Sequence, residues 1–198
     1  MNAEGDTRYM RLALALGRRG MGNTAPNPAV GCVIVKSGRI IGRGWTQPGG
    51  RPHAEPVALA QAGGQARGAD VYVTLEPCAH HGKTPPCAEA LVQAGVKRVV
   101  VAAVDTDERV NGAGLRILRN AGITVETGLC GDAAKRDHAG FFLRIEQARP
   151  FLTLKLANSF DGRIATGTGE SQWITGAAAR RVVHAMRARH DAVMVGGG

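Results

Sequence analysis

The stretch from Asp70 to Thr127 constrains the fold most. Three short β-rich runs, DVYVTL, VKRVVVAAV and ITVETG, alternate with two helical runs, CAEALVQAG and GLRILRNAG. Each helical run closes on a glycine. VKRVVVAAV is apolar almost throughout, the pattern of a strand buried on both faces. This alternation predicts parallel strands joined by right-handed crossovers, with helices on both faces of one sheet. Upstream, AVGCVIV and RIIGRGW are joined by KSG and read as a hairpin, which must supply the antiparallel member. HAEPVALAQAG reads as a helix ending at Gly63. Asp6 and Thr7 are placed to cap an opening helix running to about Arg19, and GMGNTAPNP breaks it. Asp132 to about Gln147 reads as one further helix. A three-layer α/β/α domain over residues 1–147 follows.

Residues 148–198 start something new. Arg149-Pro150 reads as a linker, FLTLKLA as a strand, TGAAARRVVHAMRARH as a helix capped at Thr175, and DAVMVGGG as a second strand. One strand, one helix and one strand cannot close a core. This part therefore reads as the front of a larger α/β domain. MNAEGDTRYM is polar and acidic, unlike a secretion signal, and no run approaches the roughly 20 apolar residues of a membrane span. Four cysteines in 198 residues make a disulfide scaffold a weak reading and point to a reducing, cytoplasmic setting. The net charge of +9 fits either a solvated surface or an anionic ligand, nucleic acid or a phosphorylated small molecule.

The chemistry concentrates in PHAE (52–55) and LEPCAHHGKTPPC (75–87). PHAE puts His53 at a helix start, where its ring and the Glu55 carboxylate can address one point beyond the helix end. TLEPC leaves a strand and presents Cys78, while TPPC presents Cys87 at the first turn of the next helix. Helix N-termini favour anions, so both thiols are expected to shift toward thiolate. One imidazole and two thiolates form a three-ligand zinc set with the fourth position left to water, and Glu55 beside it is suited to moving protons. Two other readings remain at this point. The thiols and the imidazole are simply buried, or His80 or His81 closes a structural site. Cys32 reads as core, and Cys130 carries no assigned role.

H-x-E followed by paired cysteines is the zinc deaminase signature, departed from here by the insert AHHGKTPP between the cysteines. PHAE, EPCAHHGKTPPC and the preceding APNPAVGCVIV closely resemble the deaminase half of the bifunctional riboflavin-biosynthesis family. LKLANSFDGRIAT and GESQWITG are similar to the opening of that family's reductase half. The resemblance spans essentially the whole chain. It implies a cytidine-deaminase-like domain over 1–147 and, over 148–198, the start of a dihydrofolate-reductase-like domain.

It further implies the substrate 2,5-diamino-6-(ribosylamino)pyrimidin-4-one 5′-phosphate. Hydrolysis would remove its 2-amino group as ammonia, and NADPH would then reduce the ribose to ribitol. Carried over by position, His53, Cys78 and Cys87 hold one Zn²⁺ per chain and Glu55 shuttles the proton. Asn27 and Lys83 contact the deaminase substrate. Ala157 and Trp173 match cofactor-contacting positions of the reductase, and Ser171 and Arg187 substrate-contacting ones. Lys155, Asp161 and Thr175 lie in the same motifs. Thr46 stands where members often carry a histidine that assists substrate binding, and Pro56 where they often carry valine.

The resemblance also implies homo-oligomers and no nucleic-acid or membrane partner. The positive charge then answers to phosphorylated ligands. A tRNA or DNA base deaminase shares the zinc chemistry, but it leaves the insert and the second unit unexplained, and aromatic stacking residues are scarce, at 4%. A non-catalytic zinc-stabilised module leaves Glu55 without a purpose.

Overall fold

The computed structural model describes residues 3–81, 85–106 and 111–196. Helix α1 (Ala3–Gly17) leads into the hairpin β1 (Gly31–Lys36) and β2 (Arg39–Trp45), followed by α2 (Ala54–Ala62), β3 (Asp70–Leu75) and α3 (Cys87–Ala94). Then come β4 (Arg98–Ala103), α4 (Ala113–Asn120), β5 (Thr124–Thr127), α5 (Gly131–Asp137), α6 (Ala139–Gln147) and α7 (Ala177–Arg187). The strands form one sheet in the order β2-β1-β3-β4-β5. β1 is antiparallel to both β2 and β3, while β3, β4 and β5 run parallel. The hairpin thus supplies the antiparallel member. It turns at Ser37 and Gly38, both at positive φ (49° and 76°), the two-residue geometry whose twist suits paired strands.

The sheet has helices on both faces. α1 touches β1, β3 and α5, whereas α2 lies on β1 and β2 and contacts α3, which contacts α4. Val33, Ile34, Val71, Val73, Val99 and Val101 are fully buried between these layers. Each such side chain contributes about 1.5–3 kcal/mol. At the β5 edge, Arg98 on β4 bonds Asp6 Oδ2 and Glu126 Oε2 at 2.7 Å each, and Tyr72 donates to Asp6 Oδ1 at 2.5 Å.

Two expected boundaries change. α1 already runs from Ala3, so Asp6 is no cap. Its buried carboxylate instead ties α1 to β3 and β4, and the Arg98 guanidinium holds it below its usual pKa. The expected single helix over 132–147 is two, interrupted at His138. The break lets the His138 ring turn into the core beside Thr74 Oγ1, at 3.3 Å.

The expected strands at 151–157 and 191–196 do not form, although α7 does. A helix closes its hydrogen bonds within itself, whereas a strand needs a neighbour, and these two segments do not pair with each other. Leu152, Leu154 and Met194 accordingly stand 76%, 82% and 93% exposed. Gly197 and Gly198, the end of the expected glycine loop, lie outside the described residues.

Candidate metal centre and active site

His53 is the N-cap of α2, held extended at φ −69° and ψ 169°. Glu55 follows in the first turn, where its carboxylate is 3% exposed. Pro56 sits in that same turn, where an N–H has no intrahelical partner, so the proline costs no hydrogen bond. α2 seats on β2 without intervening side chains. A Cβ on Gly44 would lie 2.1 Å from Ala54 O and one on Gly42 2.3 Å from Ala58 O, so only glycine permits this approach.

Cys78 leaves the end of β3, and Cys87 is the first residue of α3 after Pro86. The two segments are joined directly: Cys87 N donates to Cys78 Sγ at 3.3 Å and Ala88 N to Cys78 O at 3.2 Å. His53 Nδ1 lies 3.7 Å from Cys78 Sγ and 3.4 Å from Cys87 Sγ. A tetrahedral ion with Zn–S near 2.3 Å and Zn–N near 2.05 Å sets sulfur and nitrogen about 3.6 Å apart, so the spacing fits zinc. Among the described residues, this trio is the one cluster of potential ligands within 4.8 Å of one another. His80 and His81 are not part of it. His81 instead faces Glu89 at 3.6 Å on the surface. The closed structural site loses its fourth ligand.

The charges of the trio point the same way. The Cys78 thiol is pushed down to about 4, chiefly by a hydrogen bond from Cys87 and, further down the order, by His53. Cys87 moves up, first through its bond to Cys78 and then through burial. The expectation of two depressed thiols is therefore corrected. With the second thiolate forced against the first and against Glu55, the pair keeps one proton until a cation compensates. Hydrogen bonding to Cys78 raises the His53 pKa. Burial, aided by the Cys78 charge, raises Glu55 to about 7.

Residues 3–103 match the family model described as the cytidine and deoxycytidylate deaminase zinc-binding region, and residues 150–198 match the RibD C-terminal domain. The riboflavin biosynthesis protein RibD of Aquifex aeolicus is 50% identical over 99% of this chain and 55% of its own length. The chain belongs to the riboflavin-biosynthesis deaminase–reductase family. The solved RibD of Acinetobacter baumannii superposes with a TM-score of 0.85 at 53% identity, covering 95% of this chain and 53% of that one. The Thermotoga maritima deaminase/reductase gives 0.88 at 41% identity, covering 93% and 53%. The chain thus spans about half the length of the relatives it matches. Family and structure agree on a cytidine-deaminase-like α/β domain with a zinc-binding region and on a reductase-type C-terminal part.

The remaining expected residues scatter more widely. Asn27 is half-buried and donates through Nδ2 to Gly50 O at 2.9 Å, packing on the turn that precedes His53. Lys83 lies outside the described residues, as do Gly82 and Thr84. Thr46 is 1% exposed and exchanges bonds with Val30: Val30 N donates to its Oγ1 at 3.0 Å and Thr46 N donates to Val30 O at 2.9 Å. Its hydroxyl braces the Val30 backbone.

In the C-terminal part, Lys155, Ala157, Ser171, Trp173, Thr175 and Arg187 line one cleft of about 430 Å³, which Asp161 does not join. The Arg180 guanidinium, unremarked in the sequence, stacks 4.2 Å over Trp173 and bonds Thr175 O. A second residue escaped the sequence reading. Glu76 is buried, and its only sequence signal is an acid wedged between an apolar strand and Pro77.

Proposed function

We propose that this chain carries out the zinc-dependent deamination of riboflavin biosynthesis, with residues 1–147 as the deaminase domain and 148–198 as the opening of the reductase domain. The reading rests chiefly on one observation: His53 Nδ1 and two cysteine sulfurs converge at zinc-ligand spacing beside a buried carboxylate, Glu55. A bound Zn²⁺ supplies Lewis acidity and brings the pKa of water from about 15.7 to roughly 7. The chain's own residues supply the rest. His53, Cys78 and Cys87 would hold the ion, His53 and Cys87 from the starts of α2 and α3 and Cys78 from the chain between β3 and α3. Glu55 takes a proton from the attacking water and passes it to the departing amine. Water adds at the ring carbon bearing the 2-amino group, ammonia leaves, and the amidine carbon becomes a carbonyl.

The substrate is 2,5-diamino-6-(ribosylamino)pyrimidin-4-one 5′-phosphate. Asn27 and Lys83 bind it, Asn27 from beside Gly50, to whose carbonyl it donates. In the second unit, Ala157 and Trp173 contact NADPH, Ser171 and Arg187 the phosphorylated product of deamination, and Lys155, Thr175 and Asp161 support them. The clustering of all but Asp161 on one cleft favours that assignment. The protein works in the cytoplasm as a homo-oligomer on small molecules, and no described helix is long and apolar enough to cross a membrane.

The test is direct. Purified protein should contain one zinc per chain and release ammonia from the diaminopyrimidine phosphate. Zinc with no ammonia from that substrate, but ammonia from an adenosine- or cytidine-containing RNA, would replace the reading with a nucleic-acid deaminase.

A further inference from the structure

Glu76 directly follows β3, two residues before Cys78, and is 4% exposed. Its backbone still belongs to the sheet, donating to Ala103 O at 2.9 Å. Its carboxylate reaches across to the chain that follows β4. Oε2 accepts from Asp105 N at 3.3 Å and Gly112 N at 3.0 Å, and Oε1 accepts from Gly114 N at 3.0 Å and Leu115 N at 3.4 Å. Each oxygen takes two donors, which fills a carboxylate's usual acceptor sites. The last three N–H groups belong to the start of α4, where no intrahelical partner exists and negative charge is favoured. The contact is also close: a Cβ on Gly114 would lie 2.0 Å from Pro77 O. α4 therefore rests on the very peptide that joins Pro77 to Cys78.

We propose that Glu76 is a positioning residue for the metal centre. By capping α4 from the end of β3, it clamps the Pro77–Cys78 peptide against Gly114 and sets where Cys78 Sγ meets His53 and Cys87. Cys78 lies on neither a helix nor a strand, and among the described residues its backbone-donor contacts, from Cys87 N and Ala88 N, come from α3. Glu76 provides a further hold, from α4. Only a carboxylate suits the place, because all four partners are donors. An amide would turn one acceptor into a donor facing two N–H groups, leaving them unsatisfied.

The inference rests on the zinc reading of His53, Cys78 and Cys87, and the experiment separates the two. Wild-type protein that binds no zinc ends that reading. With zinc bound, Glu76→Gln should release it to a chromophoric chelator at least tenfold faster than wild type. The cobalt-substituted variant should also show altered thiolate-to-metal and ligand-field absorption. Val100→Ala, a core truncation at mid-β4, controls for lost stability and should leave both readouts unchanged. Release and spectra equal to wild type, or release no faster than in the control, would overturn the proposal. Coupling is reciprocal, so a second measurement needs no variant. Stripping zinc from wild-type protein should speed amide exchange at Gly112, Gly114 and Leu115 more than at Val100 and Val101. Equal acceleration at both places would also overturn it.

Discussion

Residues 71–75 and 151–156 are both short apolar segments of five or six residues, and they meet opposite fates. Val71, Val73 and Leu75 lie in β3 between β1 and β4, and every residue from Val71 to Leu75 is buried. Phe151 to Leu156 take no partner strand, and each is exposed. The difference is not apolar content. It is whether a neighbouring backbone stands ready to accept the ladder. The same contrast separates the two candidate sites. The metal centre is drawn from three elements locked to a closed core. The cleft around Trp173 is lined by one helix and irregular chain, with Trp173 itself 69% exposed.

The widest gap should appear in chemistry. Glu55→Gln is expected to keep the fold and the zinc while lowering ammonia release by at least the 10²–10⁴-fold typical of a general acid–base group. Metal analysis and turnover on the same preparation decide it, and near-normal turnover would take Glu55 out of the reaction. Next comes Leu91→Ala, which opens a cavity under α3 and should cost about 2–5 kcal/mol in urea unfolding. A smaller loss would mean the first region is less tightly closed than its burial implies.

The third expectation concerns pH. Burial pushes the pKa of His138 down to about 4, whereas the unfolded chain takes up that proton near 6.5. Between those values the unfolded state binds more protons, so this contribution is complete above pH 6.5 and is lost as pH falls toward 4. His138→Gln should flatten the urea-midpoint profile across that window, and the difference between the two profiles isolates this residue. Lys83→Ala comes next. More than tenfold in kcat/KM, above about 1.4 kcal/mol, with zinc content unchanged, would place Lys83 on the phosphorylated substrate. Unchanged kinetics would return it to solvent. Smallest of all, Leu154→Ala should shift stability by less than about 0.5 kcal/mol. A loss comparable to that of Leu91→Ala would show that residues 151–156 share the core after all.

Much of this was legible in the sequence, and for definite reasons. DVYVTL and VKRVVVAAV alternate with helices whose glycine ends are plain, so the parallel half of the sheet could be read directly. PHAE and PPC mark their own helix starts, which is why His53, Glu55 and Cys87 were found where they stand. What failed depended on partners distant in the chain. Asp6 looked like a cap because Arg98, ninety-two residues away, is invisible locally. The break at His138 answers to Thr74. The role of Thr46 depends likewise on Val30, which bonds both its hydroxyl and its N–H. Glu76 gave almost no signal, since its four partners are backbone N–H groups that no residue type reveals. The strands expected after Pro150 failed for the opposite reason: the local pattern was right and no neighbour was there to complete it.

The bare contact between β2 and α2 carries one more consequence. Where side chains lie between sheet and helix, they act like a gasket and take up small errors by changing rotamer. At Gly42 and Gly44 there is nothing to compress, and the peptide planes of the strand meet those of the helix. A shift of the hairpin therefore reaches the first turn of α2 undiminished, and His53 and Glu55 move with it. Reactive geometry tolerates displacements well below an ångström. The accuracy of the centre is thus borrowed from two residues with no side chain, a strand away from any chemistry.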